Sequence, residues 1–405
     1  MINLIKENKK FFIISAAVLY FLSAGVSYAL FRATGKTEKD VVSPVGNSSL
    51  KSGVLKIDPQ MPRDQECPLN GAYFTKPERE IWEKRRPLLA MIENHQEARP
   101  QSGLSRADIV YEVVAEGGIT RFMGVFYCAA AAGSEEPYDI GPVRSTRTYF
   151  LDWASEYGDY PLYNHVGGAG ACDDPTVHPK AKALCQIGEY GWKDKGSWGD
   201  MDQFALPVSA CRREPERTGE SRATEHTMYC DTFNLWKIAA ERGLTNKTEK
   251  TGLSWDNEFR SWLFKEDAPL AKRGEVNKIS FSFWSGHPSY DVSWQYDKEE
   301  NIYRRFNGGQ PHKDFRSGAQ LTAKNVVIQF VSEQGPVDEH KHMLYGTIGQ
   351  GKAIVFQDGQ AIAATWTKKS RQERTVFFDK TGREIRFNRG VIWIEALPAG
   401  NKVEY

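Results

Sequence analysis

The 405-residue sequence predicts an α+β protein. A large mixed β-sheet covered by helices is expected in the N-terminal half and a mostly antiparallel β-rich unit in the C-terminal half, preceded by one transmembrane helix. Three observations carry this expectation. An uncharged apolar run lies near the amino terminus, helix-like and strand-like segments alternate from Arg86 to Arg242, and short alternating runs between turn signals fill the remainder. Lys and Arg number 53 against 52 Asp and Glu, a net charge of +1 with interspersed signs, which argues against a nucleic-acid partner. The 11 Trp, 17 Tyr and 21 Phe supply material for a substantial core. The chain has no metal-site cysteine spacing, P-loop, dinucleotide fingerprint or nucleophile elbow, so neither metal nor cofactor is expected.

Residues 1–10 read as a cytoplasmic tail. Phe11 to Phe31 then runs 21 residues without a charge, between Lys6, Lys9, Lys10 and Arg32. About 20 apolar residues span a bilayer core, so residues 11–31 are expected to be a membrane anchor. A cleaved signal segment ending at Ser27-Tyr28-Ala29 is the alternative. The preceding lysines favour a cytoplasmic N-terminus and an extracytoplasmic main part. Residues 32–79 read as a flexible linker, because stretches such as SPVGNSSLKSG bury too little apolar surface to offset their ordering entropy. Cys67, Cys128, Cys172, Cys185, Cys211 and Cys230 suit an oxidising compartment, with Cys172–Cys185 and Cys211–Cys230 as the expected local pairs.

Residues 80–245 form the expected α/β domain. Pro87 to Asn94 predicts a buried strand. Ser105 to Glu116 (SRADIVYEVVAE) predicts a helix, with Asp108 three residues after a Ser105 cap and Gly117-Gly118 closing it; its β-branched content keeps a strand open. Arg121 to Tyr127 is a strand, Ser145 to Gly158 a helix capped by Ser145, and Leu162 to Val166 a strand. Residues 170–220 are a Gly-, Pro- and Trp-rich insertion held by disulfides. Asp231 to Arg242 is an amphipathic helix with Phe233, Trp236, Ile238, Ala239 and Ala240 available for burial. Residues 246–405 carry runs such as ISFSFW, YDVSWQY and NVVIQFV, with turns at Asn307-Gly308-Gly309, Asp358-Gly359 and Lys380-Thr381-Gly382.

The most informative chemistry lies in Gly141 to Arg147 (GPVRSTR). Arg144 and Arg147 flank Ser145 at an expected helix start, where the helix dipole opposes cations. Either a phosphate- or carboxylate-bearing ligand answers them, or an internal carboxylate from Asp108, Glu112 or Glu116 does. Arg121, following two glycines, and His165, at a strand end, are the neighbours expected to converge there. His165 reads either as an acid/base or anion donor, or as a hydrogen-bonded structural residue. Arg222 with His226, and His312 with Asp314, are secondary candidates. His340 and His342 give two imidazoles beside Asp338 and Glu339 without a recognised metal spacing. Trp192, Trp198, Trp255, Trp262, Trp284 and Trp294 read either as core or as a glycan-stacking platform.

Several segments together resemble the YerB-like bacterial family. They include Ala98-Arg99-Pro100-Gln101-Ser102-Gly103-Leu104, Ala107-Asp108-Ile109-Val110-Tyr111-Glu112, Glu116-Gly117-Gly118-Ile119-Thr120-Arg121-Phe122, Ile140-Gly141-Pro142-Val143-Arg144-Ser145-x-Arg147 and His165-x-Gly167-Gly168. Asn307-Gly308, His312-x-Asp314, Asn325-Val326-Val327, Asp379-x-x-Gly382 and Gly390-x-x-Trp393 extend the likeness over about residues 80–400. The resemblance implies a large mixed sheet, N- and C-terminal domains of unknown function, and lipoproteins of the bacterial cell envelope. It implies no catalytic residues, and no lipid-carrying cysteine follows the apolar run here. The resulting expectation is an envelope protein binding an anionic ligand through Arg121, Arg144, Ser145, Arg147 and His165, with Asp108 and Glu116 nearby. A phosphoryl- or glycan-transfer or hydrolytic enzyme using His165 or Asp108 is the first competing reading. A partner-protein adaptor with an exposed strand edge is the second.

Overall fold

Segments apolar on both faces make the centre of a sheet covered on both sides. Strands β1 (Leu88–Glu93), β2 (Ile109–Glu116) and β3 (Ile119–Phe126) are buried almost throughout. The computed structural model describes residues 58–131 and 138–405. In it these strands join β4 (Leu162–His165), β5 (Asp200–Asp202), β6 (Asn325–Gln334), β7 (Leu344–Gly346), β8 (Gly349–Gln357), β9 (Gln360–Lys368), β10 (Val376–Asp379) and β11 (Ile392–Pro398). The result is one mixed 11-stranded sheet in the order β10-β9-β8-β6-β11-β2-β3-β1-β4-β5, with β7 beside β6. Its seam is the parallel pair β11–β2, with Glu395 opposite Glu112, so strands from both halves of the chain share one ladder.

A second, antiparallel six-stranded sheet is built around Lys278–Phe281, Val292–Asp297 and Ile302–Asn307. Val292–Asp297 alternates strictly and buries Val292, Trp294 and Tyr296. Trp294 packs edge-on to Trp393 of β11, with ring centroids 5.3 Å apart. The architecture is therefore strand-rich α+β with few helices.

Ser105 to Glu116 is not a helix. Leu104–Arg106 forms a single 3₁₀ turn, and the chain then extends into β2. The β-branched Ile109, Val110, Val113 and Val114 prefer a pleated, doubly covered strand, which overrides the helical spacing. Gly117 and Gly118 do not cap a helix. At φ +56° and +77° they make the two-residue hairpin turn that pairs Glu116 with Ile119.

The next helix is also shorter than expected, running only Thr148–Ala154 with Arg147 rather than Ser145 at its N-cap. Residues 143–146 stay extended because Val143 bridges to Ile92 and Thr146 to Gly168. Gly158 closes the following 3₁₀ turn at φ +100°. The helix Thr232–Glu241 forms as expected, with the Asp231 carboxylate accepting from the Asn234 amide. Leu235, Trp236 and Ala239 make its buried face, whereas Phe233 and Ala240 face solvent.

Both expected local disulfides form, and Cys67–Cys128 is the third. The expected tail, the membrane segment 11–31 and the linker as far as residue 57 lie outside the described residues. The rest of that linker is not all chain without structure. Cys67, Leu69 and Phe74 are buried, and the short helix Lys76–Trp82, opened by a Thr75–Glu78 capping box, begins within it. Among the described residues no helix is long and apolar enough to cross a membrane.

Candidate functional site

Register brings the ionic residues together. Glu93 at the end of β1 lies opposite Arg121 of β3, and Glu116 ends β2 one hairpin turn before Arg121's strand begins. Arg144 runs alongside β1 because its amide donates to the Met91 carbonyl at 2.9 Å. Arg121 Nη2 donates to Glu116 Oε1 at 3.0 Å and Arg147 Nη2 donates to Oε2 at 2.6 Å. Arg144 Nε donates to Glu93 Oε1 at 3.2 Å, and His226 Nδ1 donates to Glu93 Oε2 at 2.9 Å. Two ionic groups, Arg144–Glu93–His226 and Arg121–Glu116–Arg147, thus make a ladder whose middle step is the cross-strand pairing of Glu93 with Arg121, and Glu97 lies 3.9 Å from His226 at its outer edge.

Arg121 and Arg147 are therefore neutralised from inside, and Glu116 is the carboxylate that does it. Burial opposes ionisation of Glu116, but Arg121 and Arg147 outweigh it and hold its pKa down at about 2. Arg121 Nη1 also donates to the Ser145 carbonyl at 2.8 Å. Arg144 differs from both. Its side chain is 28% exposed, against 2% for Arg121 and 9% for Arg147, and it spends only Nε on Glu93. Its two terminal nitrogens and the half-buried Ser145 hydroxyl have no hydrogen-bond partner among the described residues. His226 lies on the other oxygen of Glu93, which raises the imidazole pKa through their hydrogen bond. The His95 ring stacks on His226 at 4.4 Å.

The other expected members lie elsewhere. His165 is sealed, with Nε2 at 2.6 Å from Asp200 Oδ1 and Nδ1 at 2.7 Å from the Gly167 carbonyl. It supports the ladder from behind, since that carbonyl also accepts the Thr146 amide at 3.1 Å. Asp108 sits beside the Cys67–Cys128 bridge, accepting from Asn70 Nδ2 and the amides of Tyr127 and Ala129. Burial pushes its pKa up to about 7. Arg222 pairs peripherally with Glu220 at 2.9 Å.

His312 and Asp314 form no dyad. His312 Nε2 donates to Gln101 Oε1 at 2.8 Å and Nδ1 accepts from Arg305, while Asp314 accepts the amides of Ser105, Arg316 and Ser317. Burial and then Arg305 hold His312 well below the usual imidazole range. His342 is bound to Asp338 at 2.9 Å and His340 to Thr176 at 3.0 Å. The groupings Cys67/Asp108/Cys128 and Cys172/Cys185/Glu189 bring metal-type ligands close, but each spends its sulfurs on a disulfide. Trp192, Trp255, Trp262 and Trp294 belong to the core and Trp198 lies under Arg242, so these five make no exposed platform with Trp284.

Sequence reasoning missed Glu93, Arg305 and Glu395, and Glu112, considered as an internal partner for Arg144 and Arg147, pairs with Arg305 instead. Strict alternation in Ile302–Asn307 puts Arg305 on the same inward face as Tyr303, and a charge on a core face is the signal that was available.

The fold and site define a strand-rich, disulfide-bonded α+β protein with an ionic ladder at the end of its central strands. The chain belongs to the family described as "Protein of unknown function (DUF3048)", whose N-terminal domain matches residues 75–245 and whose C-terminal domain matches residues 279–394. It is 28% identical over 340 residues to "Putative lipoprotein YerB" of Bacillus subtilis (strain 168), covering 84% of this chain and 88% of that protein. The crystal structure of YerB protein from Bacillus subtilis is similar, with a TM-score of 0.64 at 25% identity, covering 84% of this chain and 100% of that one.

Proposed function

We propose that this chain is a membrane-associated, extracytoplasmic protein of the bacterial cell envelope that binds an anionic, phosphate- or carboxylate-bearing ligand at Arg144. The lipoprotein relative and the three disulfides support the location, and residues 11–31 would supply a single-pass anchor with its N-terminus in the cytoplasm. One observation carries the binding reading: the terminal nitrogens of Arg144 have no hydrogen-bond partner among the described residues, at the exposed end of the ladder. A guanidinium offers two parallel donors to a carboxylate or phosphate, and His226 adds a nearby N–H.

Arg121 and Arg147 hold the geometry through Glu116 and are not the contact groups. Transfer chemistry at His165 or Asp108 finds no support, because both side chains are sealed and saturated with internal partners. Calorimetric titration of the full chain with inorganic pyrophosphate and with citrate tests the proposal. Binding that Arg144→Ala weakens at least about ten-fold is expected. No heat of binding with either anion, or equal affinity in the variant, removes the proposal.

A further inference from the structure

A groove of about 1050 Å³ opens between the second sheet and the end of the central one, lined by Ser280, Ser282, Ser293, Trp284 and Asp291 among others. It shares none of its lining with the ionic ladder. Its volume lies just above the roughly 300–1,000 Å³ range of small-molecule sites, which suits a chain of several rings better than one. A second cavity of about 600 Å³ shares Asn401 with it and lengthens the path.

The lining chemistry narrows the class of occupant. The hydroxyls of Ser280, Ser282 and Ser293 and the carboxylates of Asp291 and Glu404 have no hydrogen-bond partner among the described residues, so donors and acceptors are both on offer. Trp284 is half-buried and held in place, with Nε1 donating to Glu333 Oε2 at 2.7 Å and its ring edge-on to His287 at 6.1 Å. An immobilised indole edged by hydroxyls and carboxylates fits a sugar ring, whose C–H face stacks while its hydroxyls bond sideways. Charge excludes one subclass. Asp291, Glu333 and Glu404 stand against Lys402 alone, so the groove repels phosphate- or carboxylate-rich polymers.

We propose that this groove binds an uncharged or N-acetylated oligosaccharide chain, stacked on Trp284 and hydrogen-bonded through Asp291 and the serines. The test is titration of the full-length protein with the hexamer of N-acetylglucosamine and with cellohexaose, followed by tryptophan fluorescence and calorimetry. Binding of at least one hexamer is expected, weakened at least about ten-fold by Trp284→Ala and by Ser282→Arg. Ser282 is exposed, so that variant blocks the groove without touching the core and carries the test where Trp284→Ala fails to fold. Arg144→Ala should leave sugar binding unchanged, which separates this outcome from that of the anion site. No binding of either hexamer, or affinity equal to wild type in both groove variants, overturns the proposal.

Discussion

Glu112 and Glu395 occupy matching positions on β2 and β11, and one buried guanidinium, Arg305, bonds the first and lies 3.8 Å from the second. All three side chains are fully buried. Two carboxylates that close in a dry interior cannot both ionise easily. Burial, reinforced by Glu112, pushes the Glu395 carboxyl well above its usual range, while Trp294 Nε1 donates to it at 3.1 Å. Arg305 itself lies 4.8 Å from the centre of the Trp393 ring. The seam between the halves of the chain is thus closed by one guanidinium facing two acidic side chains, with burial and Glu112 favouring the protonated form of Glu395.

Arg305→Met is expected to destabilise the protein by roughly 3–5 kcal/mol, because it strands Glu112 as a buried charge. Adding Glu112→Gln removes that charge and should recover part of the loss. Urea unfolding of the single and double variants measures both, and a neutral single variant would show that the seam does not depend on this ion pair.

Glu116→Gln should destabilise by roughly 2–4 kcal/mol at neutral pH, less than for a fully sealed pair because Glu116 keeps some exposure. The pH dependence follows from its depressed pKa. The folded value of about 2 lies below the ordinary 4.5, so the contribution is complete above 4.5 and is lost as pH falls through about 2. Wild-type stability should therefore fall more steeply with acid than that of the variant between about pH 5 and 3. Parallel slopes would mean that Glu116 does not carry the pairing assigned to it.

Cys67–Cys128 ties residues ahead of the helical capping box to the end of the β2–β3 hairpin, across 61 positions. Replacing both cysteines with serine should lower stability by about 4 kcal/mol on chain-entropy grounds. The 13-position loop of Cys172–Cys185 should give about 3 kcal/mol. Thermal unfolding of the two double variants ranks them, and a larger effect for the shorter loop would contradict the entropic account.

What is legible in the sequence follows a physical division. Local patterns were legible: the Asp231-capped helix, the Asp358-Gly359 hairpin and the two short-range disulfides each depend on a few neighbouring residues. The strand Ile109–Glu116 was misread because both its faces are covered, so its apolar residues satisfy a helical and an extended template alike. The arginine cluster was located, with Glu116 foreseen as one possible internal partner. Its second carboxylate, Glu93, was invisible because only the β1–β3 register places it opposite Arg121. Arg305 reaches Glu112 across 193 positions of sequence, a distance over which no local pattern speaks.

The ladder makes one claim that a single measurement isolates: Arg144 is the guanidinium left for a ligand, while Glu116 occupies Arg121 and Arg147. Nitrogen-15 NMR of the arginine side chains during a pyrophosphate titration reads all three at once. The Arg144 resonances should shift and saturate, those of Arg121 and Arg147 should stay in place, and Arg144→Lys should abolish the response. If no arginine responds, or if Arg121 and Arg147 move while Arg144 does not, the account is contradicted.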